Sequence, residues 1–239
     1  EQGVTGRTYL YCYLPVAAGM IARAVEESLG LIKGEAVEPR RIGAKLWKYF
    51  CLAGPTGVIG MALSAVDAVC WDALAVAAGT SLCRFLGGQP SAVPVYNSNG
   101  LGLMPAEAAA DDAEELLEGG FRAVKLRLGH ADFADDLAAV RAVRQRLPDD
   151  VELMADYNQA LSVDEALERC GRLDGEGLSW IEEPIRHDDY SGCARLAEAV
   201  NTPIQIGENF SGPQAMAAAL AANAADCMML DAFRIGGVL

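Results

Sequence analysis

A chain of 239 residues, 52% hydrophobic and 22% charged, has the composition of one large or two modest folded domains and argues against disorder. A formal charge of −14, with no compensating Lys/Arg run, makes nucleic acid and anionic membrane surfaces poor partners. Seven scattered cysteines without a CxxC pair argue against a zinc or dithiol centre and suggest buried thiols in a reducing cytoplasm, and no apolar stretch is expected to span a membrane or serve as a signal peptide.

Tyr9, Tyr11 and Tyr13 alternate with Leu10, Cys12 and Leu14, which predicts an opening strand, and Pro15 then starts a helix reaching about Lys33. A short helix from Arg40 to Phe50 follows. Between Gly57 and Gly79, Ile59, Ala62, Leu63, Val66, Val69, Cys70, Ala73 and Leu74 recur at helical spacing and predict a long amphipathic helix. Gly87-Gly88-Gln89-Pro90 breaks the chain.

Beyond that break, short apolar strands are expected at 93–97, 121–128, 151–158, 178–184, 203–209 and 227–233, with helical segments between them such as 132–147 and 163–173. Repeated βα units of this kind define an α/β fold around a parallel sheet, and a barrel is its natural closure. About six strands leave an eight-stranded barrel two short, so the chain reads as a fragment.

The acids at the predicted strand ends share one spacing. Asp156 to Glu182 and Glu182 to Glu208 are each 26 residues, and Asp231 follows 23 residues later, close to one βα unit each time. Equal units return each carboxylate to the carboxyl-terminal rim, where barrels place their chemistry. Along 151–158, alternation sends Val151, Leu153, Ala155 and Tyr157 to the helix layer and turns Asp156 and Asn158 inward. Clustered carboxylates repel one another, and a hard divalent cation such as Mg²⁺ removes that cost. Taken singly, each acid could instead cap a helix or form a salt bridge. Lys125 and Arg127, two apart on one strand, point inward opposite Val124 and Leu126. A lysine beside a permanent cation and a metal is pushed towards the neutral form a general base needs, whereas Arg127 would hold a substrate carboxylate or an oxyanion. His130 and His187, the only histidines, read as surface or supporting groups.

Together Lys125-Leu126-Arg127, Asp156-Tyr157-Asn158-Gln159, Trp180-Ile181-Glu182-Glu183-Pro184, Gly207-Glu208-Asn209 and Asp231-Ala232-Phe233-Arg234-Ile235-Gly236-Gly237 resemble the mandelate racemase group of the enolase superfamily. The stretch Ala65–Leu74 with Leu86-Gly87-Gly88 resembles the helix that joins that group's capping domain to its barrel.

The resemblance implies a modified TIM barrel, (β/α)₇β, with an α+β capping domain. Residues 1–92 would supply part of the cap and linking helix, and 93–239 the first six or so barrel units. It implies Mg²⁺ on Asp156, Glu182 and Glu208, Lys125 in the base position, Asn158 beside the substrate, and Asp231 as the acid of an Asp-His pair whose histidine lies one strand later. Arg127 departs from the lysine expected at that position, which weakens a racemase assignment.

The expected activity is removal of the α-proton of a small carboxylate, a 2-hydroxy acid in a racemase or epimerase. Sugar-acid dehydration is a close rival, a catalytically silent barrel an alternative, and a cycloisomerase a weaker one. A cytoplasmic homo-oligomer is expected.

Overall fold

A computed structural model describes residues 3–238. Four helices come first: α1 (Pro15–Ile32), α2 (Pro39–Phe50), α3 (Gly57–Ala77) and α4 (Leu82–Phe85). Helices and strands then alternate: α5 (Ala106–Glu115), β1 (Ala123–Arg127), α6 (Phe133–Arg146), β2 (Glu152–Asp156), α7 (Val163–Leu173), β3 (Leu178–Glu182), α8 (Tyr190–Ala199), β4 (Ile204–Ile206), α9 (Pro213–Ala221), β5 (Cys227–Met228) and α10 (Ala232–Ile235).

The chain forms two compact units. One contains the residues up to Ala92 with Glu208–Met216 and Leu230 onwards; the other contains Val93–Gly207 and Ala217–Met229.

In the first unit, α3 packs with α1, α2, α4 and α10. Ile42 and Leu46 of α2 meet Val66 and Cys70 of α3 in a small core, with Val25, Leu31, Ile32 and Leu63 around it. By length and composition α3 could cross a membrane, which corrects the expectation that no segment could. Its surroundings are those of a core helix, and its buried Asp67 accepts the Val238 amide at 2.7 Å. The opening tyrosines form no strand; Tyr9, Tyr11 and Tyr13 are exposed and lack the partner strand that their alternation presupposed.

The second unit holds a parallel sheet in the order β1-β2-β3-β4-β5, which is the sequence order a βα barrel requires. Val93–Asn97, expected as a strand, contributes only the single bridge Asn97–Val124. The segment expected at 227–233 stops after Met228, because Asp231 turns the chain into α10 by accepting the Phe233 and Arg234 amides. Cys70, Cys170 and Cys193 are buried as expected, but Cys51, Cys83 and Cys227 are exposed.

Local chemistry explains the helix starts. α7 opens on a capping box, Ser162 receiving the Glu165 amide while Glu165 receives that of Ser162. Asp132 caps α6 through the Ala134 amide, and Asp189 caps α8 through that of Gly192.

After α7, Asp174 collects the amides of Asn201 and Thr202, the Asn201 side chain and the Thr202 hydroxyl, at 2.8–3.1 Å, and ties that turn to the approach to β4. Burial opposes its charge, but these donors outweigh burial and hold its carboxyl below the ordinary aspartate value. A lowered folded-state pKa means that the contribution is complete above the unfolded value near pH 4 and disappears as pH falls through the folded one. Asp174→Ala is therefore expected to cost about 1–3 kcal/mol in urea unfolding at pH 7. The difference from wild type should shrink below about pH 4; a difference independent of pH would contradict this account.

Candidate active site

Val124 and Leu126 in β1 are 0% and 1% exposed, and the two-residue period turns Lys125 and Arg127 to the opposite face. Parallel pairing then puts Arg127, Asp156, Glu182, Gln205 and Cys227 in one row across the sheet. Asp156 and Glu182 are the last residues of β2 and β3, and both are buried. Adjacent strands lie about 4.8 Å apart, so two such carboxylates require a cation between them.

In this structure Lys125 meets that need. Its Nζ lies 2.6 Å from Glu182 Oε2 and 3.3 Å from Asp156 Oδ2. Burial works against the ammonium, but the Asp156 and Glu182 charges and the Glu182 hydrogen bond outweigh it and raise its pKa above the ordinary lysine value. Two carboxylates approach the ammonium closely and hold it charged here, whereas the expected push towards neutrality concerns a lysine facing a bound metal. Arg127 makes no ion pair among the described residues and remains a fixed positive charge in the row.

Tyr96 packs against Lys125: the ammonium lies over its ring, 5.5 Å from the centroid, and the ring packs edge-on against Trp180 at 5.9 Å. Its hydroxyl contacts Met229 Sδ at 3.5 Å.

The rim backbone is strained where it leaves β2 and β3. Asn158, Gln159 and Glu183 have φ of 44°, 68° and 36°, a region that costs non-glycine residues about 1–3 kcal/mol each. Pairing holds them there, with the Tyr157 amide on Glu182 O at 3.0 Å and the Gln159 amide on Glu183 O at 2.7 Å. The exposed Asn158 turns its own amide onto Asp156 Oδ1 at 2.7 Å, which orients that carboxylate.

Glu208 and Asp231 belong to the first unit. There Asn209 Nδ2 donates to Glu208 Oε1 at 3.2 Å, Arg234 donates to Asn209 Oδ1, and Arg234 Nε lies 3.6 Å from Asp231 Oδ2. The two acids are thus linked through one asparagine and one arginine, and Asp231 doubles as the α10 cap. Among the described residues no three His, Cys, Asp or Glu side chains are gathered into a metal-holding group. What the structure brings together is Lys125, Asp156 and Glu182. The hard oxygen donors of the last two, already converging on a cation, fit Mg²⁺.

Both histidines serve the loops they sit on, His130 Nδ1 contacting Asp136 Oδ1 and His187 Nδ1 contacting Gln159 Oε1, each at 2.9 Å. Sequence reading overlooked Tyr96 and Gln205. Gln205 carried a signal, since a polar residue between Ile204 and Ile206 follows the alternation that singled out Asp156.

The chain belongs to a known family: residues 108–239 match the family described as Enolase C-terminal domain-like. Among its relatives, a 3,6-anhydro-alpha-L-galactonate cycloisomerase of Streptomyces coelicolor is 34% identical over 87% of this chain and 58% of its own length. An L-talarate/galactarate dehydratase of Salmonella typhimurium is 31% identical over 100% of this chain and 60% of its own. The crystal structure of an enolase from Bradyrhizobium, complexed with magnesium and mandelic acid, superposes with a TM-score of 0.93 at 37% identity, over 99% of this chain and 65% of that one. The chain therefore spans about 60% of the length of the curated relatives it matches.

Proposed function

We propose that this chain carries the enolising half of a Mg²⁺-dependent enzyme that removes the α-proton of a small carboxylate, a 2-hydroxy acid in a racemase or epimerase of the mandelate racemase type. The observation that supports it most is the buried cluster of Lys125, Asp156 and Glu182 on register-matched strand ends. Asp156 and Glu182 would hold the metal, with Glu208 assigned as third ligand on its spacing and motif. When bound, Mg²⁺ would supply the positive charge that stabilises a doubly charged carboxylate enolate.

The protein side chains do the rest. Arg127, a permanent cation with no ion-pair partner among the described residues, pairs with the substrate carboxylate and orients it. Lys125, held charged by its acids, adds a second positive group where negative charge develops on the substrate oxygens. Asn158, on the strained turn after β2, is assigned to substrate contact. Arg127 is a poor base and is not given the proton transfer at the carbon; Asp231 is assigned as the acid that would orient the base.

Sugar-acid dehydration is the second reading, favoured by the dehydratase among the relatives and by the arginine at 127. Incubating the intact protein with Mg²⁺ and a panel of hydroxy and sugar acids in D₂O separates the two. Deuterium at the α-carbon without keto acid supports racemisation, and keto-acid formation supports dehydration. A folded, Mg²⁺-bound protein that exchanges no acid in the panel would be a silent barrel and would overturn the catalytic reading.

A further inference from the structure

One strand beyond Glu182, the row holds a polar side chain to which the proposed chemistry gives no role. Gln205 lies in β4 between Ile204 and Ile206, which are 0% and 1% exposed. Alternation turns its amide to the other face, in register with Glu182. Gln205 is 6% exposed, and its Oε1 accepts no hydrogen bond among the described residues. A native protein rarely leaves such a carbonyl without a donor, so the interior must receive one from elsewhere.

The cationic donor of the carboxylate cluster is already committed. Lys125 directs its ammonium to Glu182 and Asp156, and its strand is three positions away from β4 in the sheet. Cys227, the register partner on the other side, is a weak donor. A hydrated divalent cation is a better source, because Mg²⁺ keeps several of its waters when carboxylates bind it, and each of those waters is a strong donor. An amide oxygen also suits this position, since it accepts a hydrogen bond without adding a third negative charge beside two carboxylates.

We infer that Gln205 is a positioning residue of the cation site. Its Oε1 accepts a hydrogen bond from a water carried by the divalent ion on Asp156 and Glu182, fixing that water and, through it, the ion. The inference rests on the proposed metal site.

Mn²⁺ tests it without any substrate. In the intact protein, binding is followed by the free-ion electron paramagnetic resonance signal, and bound water by the enhancement of water-proton relaxation. Gln205→Met keeps the length but lacks the acceptor. It should weaken Mn²⁺ binding roughly tenfold and change the enhancement per bound ion, as loss of an outer partner does. Its thermal midpoint in EDTA should equal or exceed that of wild type, since a partnerless buried carbonyl is removed. Gln205→Glu, facing the ion, should bind Mn²⁺ more tightly than wild type. If wild type binds Mn²⁺ and both variants match it in affinity and enhancement, Gln205 has no such role. If wild type binds no Mn²⁺, the metal reading itself fails and takes this inference with it.

Discussion

Lys125→Met is expected to lower α-proton exchange by at least about 10², the usual cost of removing one preorganised positive or hydrogen-bonding group from a developing oxyanion. The same change makes a sharper prediction about stability. Lys125 is the cation that lies between Asp156 and Glu182, and both acids are buried. Removing it leaves two like charges side by side without compensation, a situation that costs about 3–5 kcal/mol when a buried pair loses one partner. Urea unfolding in EDTA should show that loss.

Added Mg²⁺ should restore much of it, because a ligand that binds only the folded state stabilises by mass action. Wild type should gain less from Mg²⁺ than the variant does, since its ammonium competes with the ion for the same oxygens. A Lys125→Met protein as stable as wild type in EDTA, with no larger response to Mg²⁺, would mean that the lysine is not what holds these acids together.

The sequence made these residues visible because strands have a period of two and βα units repeat. Lys125 and Arg127 faced opposite Val124 and Leu126, and the 26-residue steps marked Asp156 and Glu182 as strand ends. α7 was legible to the residue, from Val163 to Leu173.

Other features depend on neighbours that a linear reading does not supply. The contact of Lys125 with two acids depends on distances across other strands. The Val93–Asn97 segment has strand-like composition, yet pairs at one position only. Asp231 stands near a strand end, but its carboxylate serves the amides that begin α10, a local competition that favours turns over strands. Tyr9, Tyr11 and Tyr13 alternate but form no strand, which shows that periodicity alone does not make one.

Asp136 is the residue whose importance the sequence hid most completely, since nothing distinguishes it from Asp135 beside it. Asp136 is 0% exposed and faces the loop that leaves β1. Its Oδ1 receives the amides of Gly129 and His130 and contacts His130 Nδ1, each at 2.9 Å, while its Oδ2 receives Arg169 Nη1 at 3.0 Å. Arg169 completes the clamp by donating to the carbonyls of His130 at 2.8 Å and Ala131 at 3.1 Å. The loop itself needs Gly129, with φ of 116° and an added Cβ that would lie 3.2 Å from the Ala160 side chain.

Asp136→Ala should therefore cost about 3–5 kcal/mol in urea unfolding, because the nearly buried guanidinium of Arg169 loses its counter-charge and the loop amides lose their acceptor. Removing the arginine as well, in Asp136→Ala/Arg169→Met, should recover part of that loss, since the unpaired charge is then gone. Arg127 stands at the end of β1, two residues before Gly129, so the single variant should also raise KM for a carboxylate substrate more than it lowers kcat. Amide hydrogen exchange at Leu128–Ala131 should accelerate in step. A variant that loses under about 1 kcal/mol, with exchange at those amides unchanged, would show that the clamp is not what holds the Lys125–Arg127 strand end in place.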